Sequence, residues 1–138
     1  MSLFNIFDIS GSGMSAQSVR LNTVSSNLAN VETVSGTEEG AYRSRQPIFQ
    51  TVLDNEFNDR SVAKVEVMEV IEKDAPPTPR YQPGHPLAND DGYVFMPNVN
   101  AMEELANMIS ASRNYQNNVE VLSTSKDLML RTLNMGKQ

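Results

Sequence analysis

Few residues in this 138-residue chain have side chains that could carry out chemistry. His85 is the only histidine and cysteine is absent. An imidazole acting as a base or as a metal ligand would therefore have no second histidine and no cysteine to act with it. Because His85 stands between Gly84 and Pro86, the sequence places it in a loop. We therefore interpret it as an exposed or locally hydrogen-bonded loop residue.

Other short motifs also fall short of a catalytic or ligand site. Asp90-Asp91-Gly92 has carboxylates but lacks the spacing and terminal glutamate of an EF-hand loop, which favours a turn. Gly11-Ser12-Gly13 lacks the preceding strand and further glycine of a nucleotide-binding fingerprint. No serine elbow or base-activated nucleophile is recognisable, and the methionines of the C-terminal region suit adaptable packing. The sequence predicts no enzyme activity, cofactor, metal ion or small-molecule substrate.

Composition excludes several partner classes. The net charge of −6 and isoelectric point near 4.7 argue against nucleic acid and anionic membranes. No apolar run approaches the roughly 20 residues that span a bilayer, so direct membrane insertion is not expected. The N-terminus lacks the basic and apolar regions of a cleaved secretory signal, so export would need another route.

The last forty residues, 99–138, contain no proline and have the periodicity of a long helix. Asn100 is the predicted N-cap, with Glu103 as capping-box partner, and Gly136 is the predicted end. A helix of about 37 residues would be roughly 55 Å long, so it needs a partner of similar length. The residues at steps of four and three predicted to pack or assemble are Leu105, Met108, Tyr115, Val119, Leu122, Met129 and Leu133.

Residues 1–35 supply the predicted partner helix. Its packing positions are Met14, Leu21, Val24, Leu28 and Val31. Asp8 and Arg20 are the only charged residues among the first 31, and serine, threonine and asparagine dominate the other face. The segment could therefore be a solvated polar helix or a disordered leader. We favour a helix surrounded by neighbouring subunits, because solvated helices usually carry lysine and glutamate.

Residues 36–98 form a β-rich middle region. Tyr42–Val52 reads as an edge or irregular strand because of Pro47, and Val62–Ile71 alternates as a strand should. Six of the seven prolines fall in Ala75–Pro97, which predicts a stiff extended loop before the short strand Tyr93–Met96. The predicted fold is α+β, with the end helices, 1–35 and 99–138, paired as an antiparallel coiled coil. Since two isolated helices bury little, we expect them to be poorly ordered before assembly.

Three stretches resemble the bacterial flagellar rod and hook protein family. The N-terminal run from Ser12 to Asn30 resembles its N-terminal signature, and Met108–Asn118 its C-terminal signature. Gly84–Val94 with Pro97–Asn100 is similar to a proximal-rod type within that family, as is the long linker between Gly36 and Tyr42. The motif residues carrying the resemblance include Asn27, Ala29, Asn30, Thr33, Arg113, Tyr115 and Asn118.

The resemblance implies a non-enzymatic structural subunit of the flagellar rod. It implies contacts with copies of itself, with the rod proteins FlgB, FlgF and FlgG, and with FliE. It also implies export by the flagellar type III apparatus and a location in the rod, spanning the periplasm. Two alternatives remain: another rod-family protein of the same axial structure, or a stand-alone coiled-coil adaptor or binding module.

Overall fold

The computed structural model describes residues 3–54 and 62–136 and shows a helix at each end of a β-rich middle. In chain order the elements are α1 (Leu3–Ala29), β1 (Arg45–Asp54), β2 (Val62–Glu72), β3 (Thr78–Tyr81), β4 (Tyr93–Met96) and α2 (Ala101–Met135). The α+β class is therefore confirmed. Of the segment between the two predicted strands, which the sequence indicates is a polar connection over Leu53–Arg60, residues 55–60 lie outside the described residues.

Helix α2 begins and ends as its sequence predicts. The Oδ1 of Asn100 accepts hydrogen bonds from the backbone N–H of Met102 and of Glu103, at 3.0 and 3.4 Å. Both N–H groups belong to the first turn, where no carbonyl of the helix itself can accept them. At the other end, the N–H of Gly136 donates to the carbonyl of Thr132. Gly136 has a φ of −75°, so it keeps the right-handed conformation and does not form a left-handed glycine cap. Local capping chemistry thus sets the start of α2.

Helix α1 ends at Ala29, six residues before the end of the predicted segment 1–35. Polar side chains accompany this end: Asn30 Nδ2 donates to the carbonyl of Ser26 at 2.8 Å, and Thr33 Oγ1 to the carbonyl of Asn30 at 2.7 Å. Both carbonyls also accept a backbone N–H, Ser26 from Asn30 and Asn30 from Thr33, so the side chains add a second hydrogen bond at this end of the helix. The chain then reaches Ser35, which exchanges two backbone hydrogen bonds with Phe95.

The middle region contains two separate antiparallel pairs of strands, β1–β2 and β3–β4. Pro47 lies within β1 opposite Val70, which is tolerated because each strand of a two-stranded sheet is an edge strand. Strand β3 falls in the proline-rich segment, where the sequence predicted only an extended loop. Tyr81 of β3 packs edge-on against Tyr93 of β4, with ring centroids 5.2 Å apart.

The chain buries little apolar surface. Among the described residues, the buried apolar side chains are Ala16, Val24, Ala41, Val94 and Ala111. The chain exposes 9661 Å². A compact monomer of this mass would expose about 7,100 Å². The chain therefore exposes more surface than a compact globule of its mass, and none of the described helices is long and apolar enough to cross a membrane.

Candidate assembly interface

One hydrogen bond and one close approach join α1 and α2. Arg20 Nη2 donates to Asn107 Oδ1 at 3.0 Å. Near the start of α1, Gly13 lies so close to Asn118 that a β-carbon at Gly13 would be 2.9 Å from its Nδ2. The earlier residue of α1 thus meets the later residue of α2. A glycine at this point lets the two helices approach closely.

The face of α2 that is most buried follows its own heptad spacing. Glu104, Ala111 and Ser125 are buried there, and Met108, Tyr115, Asn118, Leu122 and Met129 are half-buried. Four predicted packing residues, Met108, Tyr115, Leu122 and Met129, are therefore on this face. The other three, Leu105, Val119 and Leu133, are 43%, 44% and 58% exposed, and their role in assembly stays a prediction. Small and polar residues fill the remaining positions, which apolar periodicity alone could not indicate.

Helix α1 lies between α2 and the β1–β2 hairpin and contacts both. Val24 is buried, and the other predicted positions, Met14, Leu21, Leu28 and Val31, are half-buried. The hairpin also contacts polar residues of α1: the N–H of Val65 donates to Ser12 Oγ at 3.2 Å, and Lys64 Nζ lies 3.7 Å from Asp8 Oδ2. The β1–β2 hairpin of the same chain therefore covers part of the uncharged polar surface of α1.

Asn27 connects the helix pair to the hairpin. Its Oδ1 accepts hydrogen bonds from the N–H of Arg45, at 2.9 Å, and the hydroxyl of Tyr42, at 2.8 Å. Its Nδ2 donates to the carbonyl of Arg45 at 2.9 Å, and the residue is only 1% exposed. The Asn27 amide thus forms hydrogen bonds with both the N–H and the carbonyl of Arg45, the first residue of β1, as the backbone of a neighbouring strand would. The sequence marked Asn27 as a motif residue but did not show this role.

The other motif residues are spread over several environments. Asn30 and Thr33 bond the chain after α1, as described above. Tyr115 and Asn118 lie on the face of α2 nearest α1, whereas Ala29 and Arg113 are exposed. The motif therefore combines residues that stabilise this fold with residues left at its surface.

A cleft of about 390 Å³ is lined by residues of α1, α2 and β1. Arg20, Phe49 and Glu104 are among its lining residues. Glu104 is 6% exposed, and its Oε2 has no hydrogen-bond partner among the described residues, which is costly for a buried carboxylate oxygen. Gln17 Oε1 of α1 is likewise buried without a partner. Polar groups at the helix interface are therefore incompletely satisfied within one chain.

The residues considered for chemistry have local structural partners. His85 Nδ1 accepts a hydrogen bond from the N–H of Leu87 at 3.1 Å. Asn89 Oδ1 accepts from the N–H groups of Asp91 and Tyr93, and Gly92 has a φ of +80°, so this segment is a turn. Within residues 3–54 and 62–136, no group of three histidine, cysteine, aspartate or glutamate side chains is placed to hold a metal ion. The contacts of these residues hold segments of the chain together.

Similarity to known proteins covers the chain from end to end. Residues 7–36 match the family described as flagella basal body rod protein, and residues 90–135 match the C-terminal family of flagellar basal body rod FlgEFG proteins. The flagellar basal-body rod protein FlgC of Escherichia coli O6:H1 is 50% identical over 137 residues, which are 99% of this chain and 100% of that protein. The FlgC proteins of Yersinia enterocolitica and Salmonella typhimurium are 50% and 48% identical over the same shares of each chain. The chain belongs to the FlgC family of flagellar basal-body rod proteins and is a structural subunit of that rod.

Proposed function

We propose that this subunit belongs to the proximal part of the rod, where it assembles with further copies and other rod proteins and transmits torque from motor to hook. The observation that carries the proposal is the identity of 48–50% to FlgC proteins along their whole length. The contacts within the chain use its polar groups to hold elements together. A structural role without catalysis is therefore the one we propose.

The mechanical element in this proposal is an antiparallel coiled coil of α1 and α2. The opposed order of the two contacts, Gly13 with Asn118 and Arg20 with Asn107, supports this pairing. Side chains interlocked along two long helices resist sliding better than loop contacts, because many would have to move together. We propose the segments 1–35 and 99–138 as the shaft of the subunit and 36–98 as a lateral contact region.

The proposed partners are copies of the chain itself, the rod proteins FlgB, FlgF and FlgG, and FliE. The flagellar type III export apparatus would deliver the chain, and the assembled rod would cross the periplasm. The exposed area, larger than a compact monomer of 15.3 kDa needs, supports a protein that completes its burial against neighbours.

Electron microscopy of basal bodies from a strain that lacks this gene tests the proposal. We expect bodies arrested at the inner-membrane ring without a rod, and restoration of the rod by the unmodified gene. Complete rods and hooks in the deletion strain would contradict it, and a stand-alone adaptor would then be the better explanation.

A further inference from the structure

Helix α2 has a second apolar face that no described part of the chain covers. It contacts α1 but, among the described elements, no strand. The six residues of this face, which we call the outer seam, are between 43% and 75% exposed. They are Met102, Leu105, Ile109, Val119, Leu130 and Leu133. Exposed apolar side chains that share one helix face mark a site of contact with another molecule.

The β1–β2 hairpin also has an uncovered face. Side chains alternate between the two faces of a strand pair, so Ile48, opposite Glu69, shares a face with Ile71 and Glu66. These four residues are the outer hairpin face, and Ile48 and Ile71 are each 39% exposed. The opposite face carries Phe49, which lines the cleft beside the helices.

The two surfaces carry complementary charge. Lys126 lies along the outer seam, at a spacing of seven residues from both Val119 and Leu133, and forms no salt bridge with a described residue. Glu66 and Glu69 of the outer hairpin face also form none in the part of the chain that the structure describes. Exposed ion pairs add little affinity, but they set orientation and register between apolar surfaces.

The two surfaces do not meet within one chain, because α2 contacts no described strand. We propose that the outer hairpin face of one subunit packs on the outer seam of a second copy, with Lys126 beside Glu66 or Glu69. Because the two surfaces differ, a pair of subunits joined in this way still has one free outer seam and one free outer hairpin face. Further copies can bind there, so such a head-to-tail contact can continue into a helical filament. This inference rests on the self-assembly proposed above.

Cross-linking in assembled rods tests the contact without background from native cysteines of this chain, since it contains none. Cells would produce two variants together, Glu66→Cys and Lys126→Cys, and isolated basal bodies would be treated with a short bis-maleimide. We expect a cross-linked dimer containing one copy of each variant. In the matched control, Ser110→Cys replaces Lys126→Cys; this exposed residue lies on a different face of α2, and we expect several-fold less dimer.

A charge exchange gives an independent readout. Lys126→Glu should reduce rod assembly, and the double variant Glu66→Lys, Glu69→Lys in the same chain should restore it. Because all three positions are at least partly exposed, none of these changes should prevent folding.

Three results would overturn the inference. If rods form normally but no cross-link joins positions 66 and 126, the proposed function is unaffected and this contact is refuted. Cross-links of Lys126→Cys only to itself, or only to a different rod protein, would assign the outer seam to another partner. If the unmodified chain, which contains no cysteine, does not enter rods, the proposed self-assembly is refuted, and this contact is refuted with it.

Discussion

At the scale of single residues, Asn27 decides how the hairpin is attached to the helices. Its one amide group both donates to and accepts from the backbone of Arg45, so it satisfies the outer edge of β1 where no strand is available. Few side chains carry a donor and an acceptor at this spacing, which explains why an asparagine is required. Removal of this buried amide would take a partner from the N–H and the carbonyl of Arg45, whereas the Tyr42 hydroxyl would keep Ser26 Oγ at 3.3 Å.

Asn27→Ala should lower the free energy of unfolding by about 3 kcal/mol, because three hydrogen bonds are lost and buried groups stay unsatisfied. Urea unfolding, at a protein concentration where circular dichroism shows both helices formed, would measure it. Amide hydrogen exchange at Arg45 should accelerate in the same variant.

Asn22→Ala is the matched control, since Asn22 is exposed on the same helix and the replacement changes helix propensity equally. Equal unfolding free energies for the two variants would show that the Asn27 contacts contribute nothing.

At the scale of elements, the two faces of α2 have different tasks. The face with Met108 and Tyr115 lies against α1, and its buried positions include Ala111 and Ser125. The outer seam keeps larger apolar residues exposed in the single chain. A substitution on the first face should therefore affect folding, whereas one on the second should affect assembly alone.

Val119→Asp and Leu28→Asp separate these effects. Val119 is 44% exposed, so a carboxylate there should leave the fold of the chain unchanged but abolish assembly, where it would be desolvated. Leu28 is half-buried in α1, so Leu28→Asp should weaken the helix pair as well as abolish assembly. Circular dichroism of the purified chain and motility of complemented cells would measure the two effects.

Asn117→Asp is the control for added charge, because Asn117 is exposed on α2 away from the outer seam and should tolerate it. Normal motility of the Val119→Asp strain would count against the outer seam as an assembly surface.

At the scale of the whole molecule, the dominant property is incomplete burial. The chain exposes 9661 Å² and its buried apolar residues are small, so few apolar contacts offset the entropy of ordering two long helices. Assembly would supply the missing burial. Folding and polymerisation are then expected to be coupled.

We predict that the helices are poorly ordered in dilute free chain and form as subunits assemble. Circular dichroism should show helix content that rises with protein concentration and a broad thermal transition in dilute samples. A sharp transition that is independent of concentration, from a fully helical monomer, would contradict this coupling.

The sequence by itself determined the order and type of the main elements. Helix α2 and its N-cap at Asn100 follow from local periodicity and capping, which depend only on residues close in the chain. Strand β2 follows from alternation, β1 from its β-favouring residue types, and β4 from its position after the turn at Asp91-Gly92. The family was also recognisable from motifs at both ends of the chain.

Only the tertiary structure decided how these elements meet. Strand β3 was missed because proline-rich sequence carries no strand signal of its own, and its pairing with β4 bridges a long interval of sequence. The side of α2 that faces α1 depends on the close approach of the two helices at Gly13. This approach admits small and polar residues on that side, whereas the apolar periodicity had favoured Leu105 and Val119 for helix packing. Likewise, the role of Asn27 exists only once β1 lies beside α1. Contacts between distant segments depend on shape and hydrogen-bond geometry in three dimensions, and local residue patterns do not contain that information.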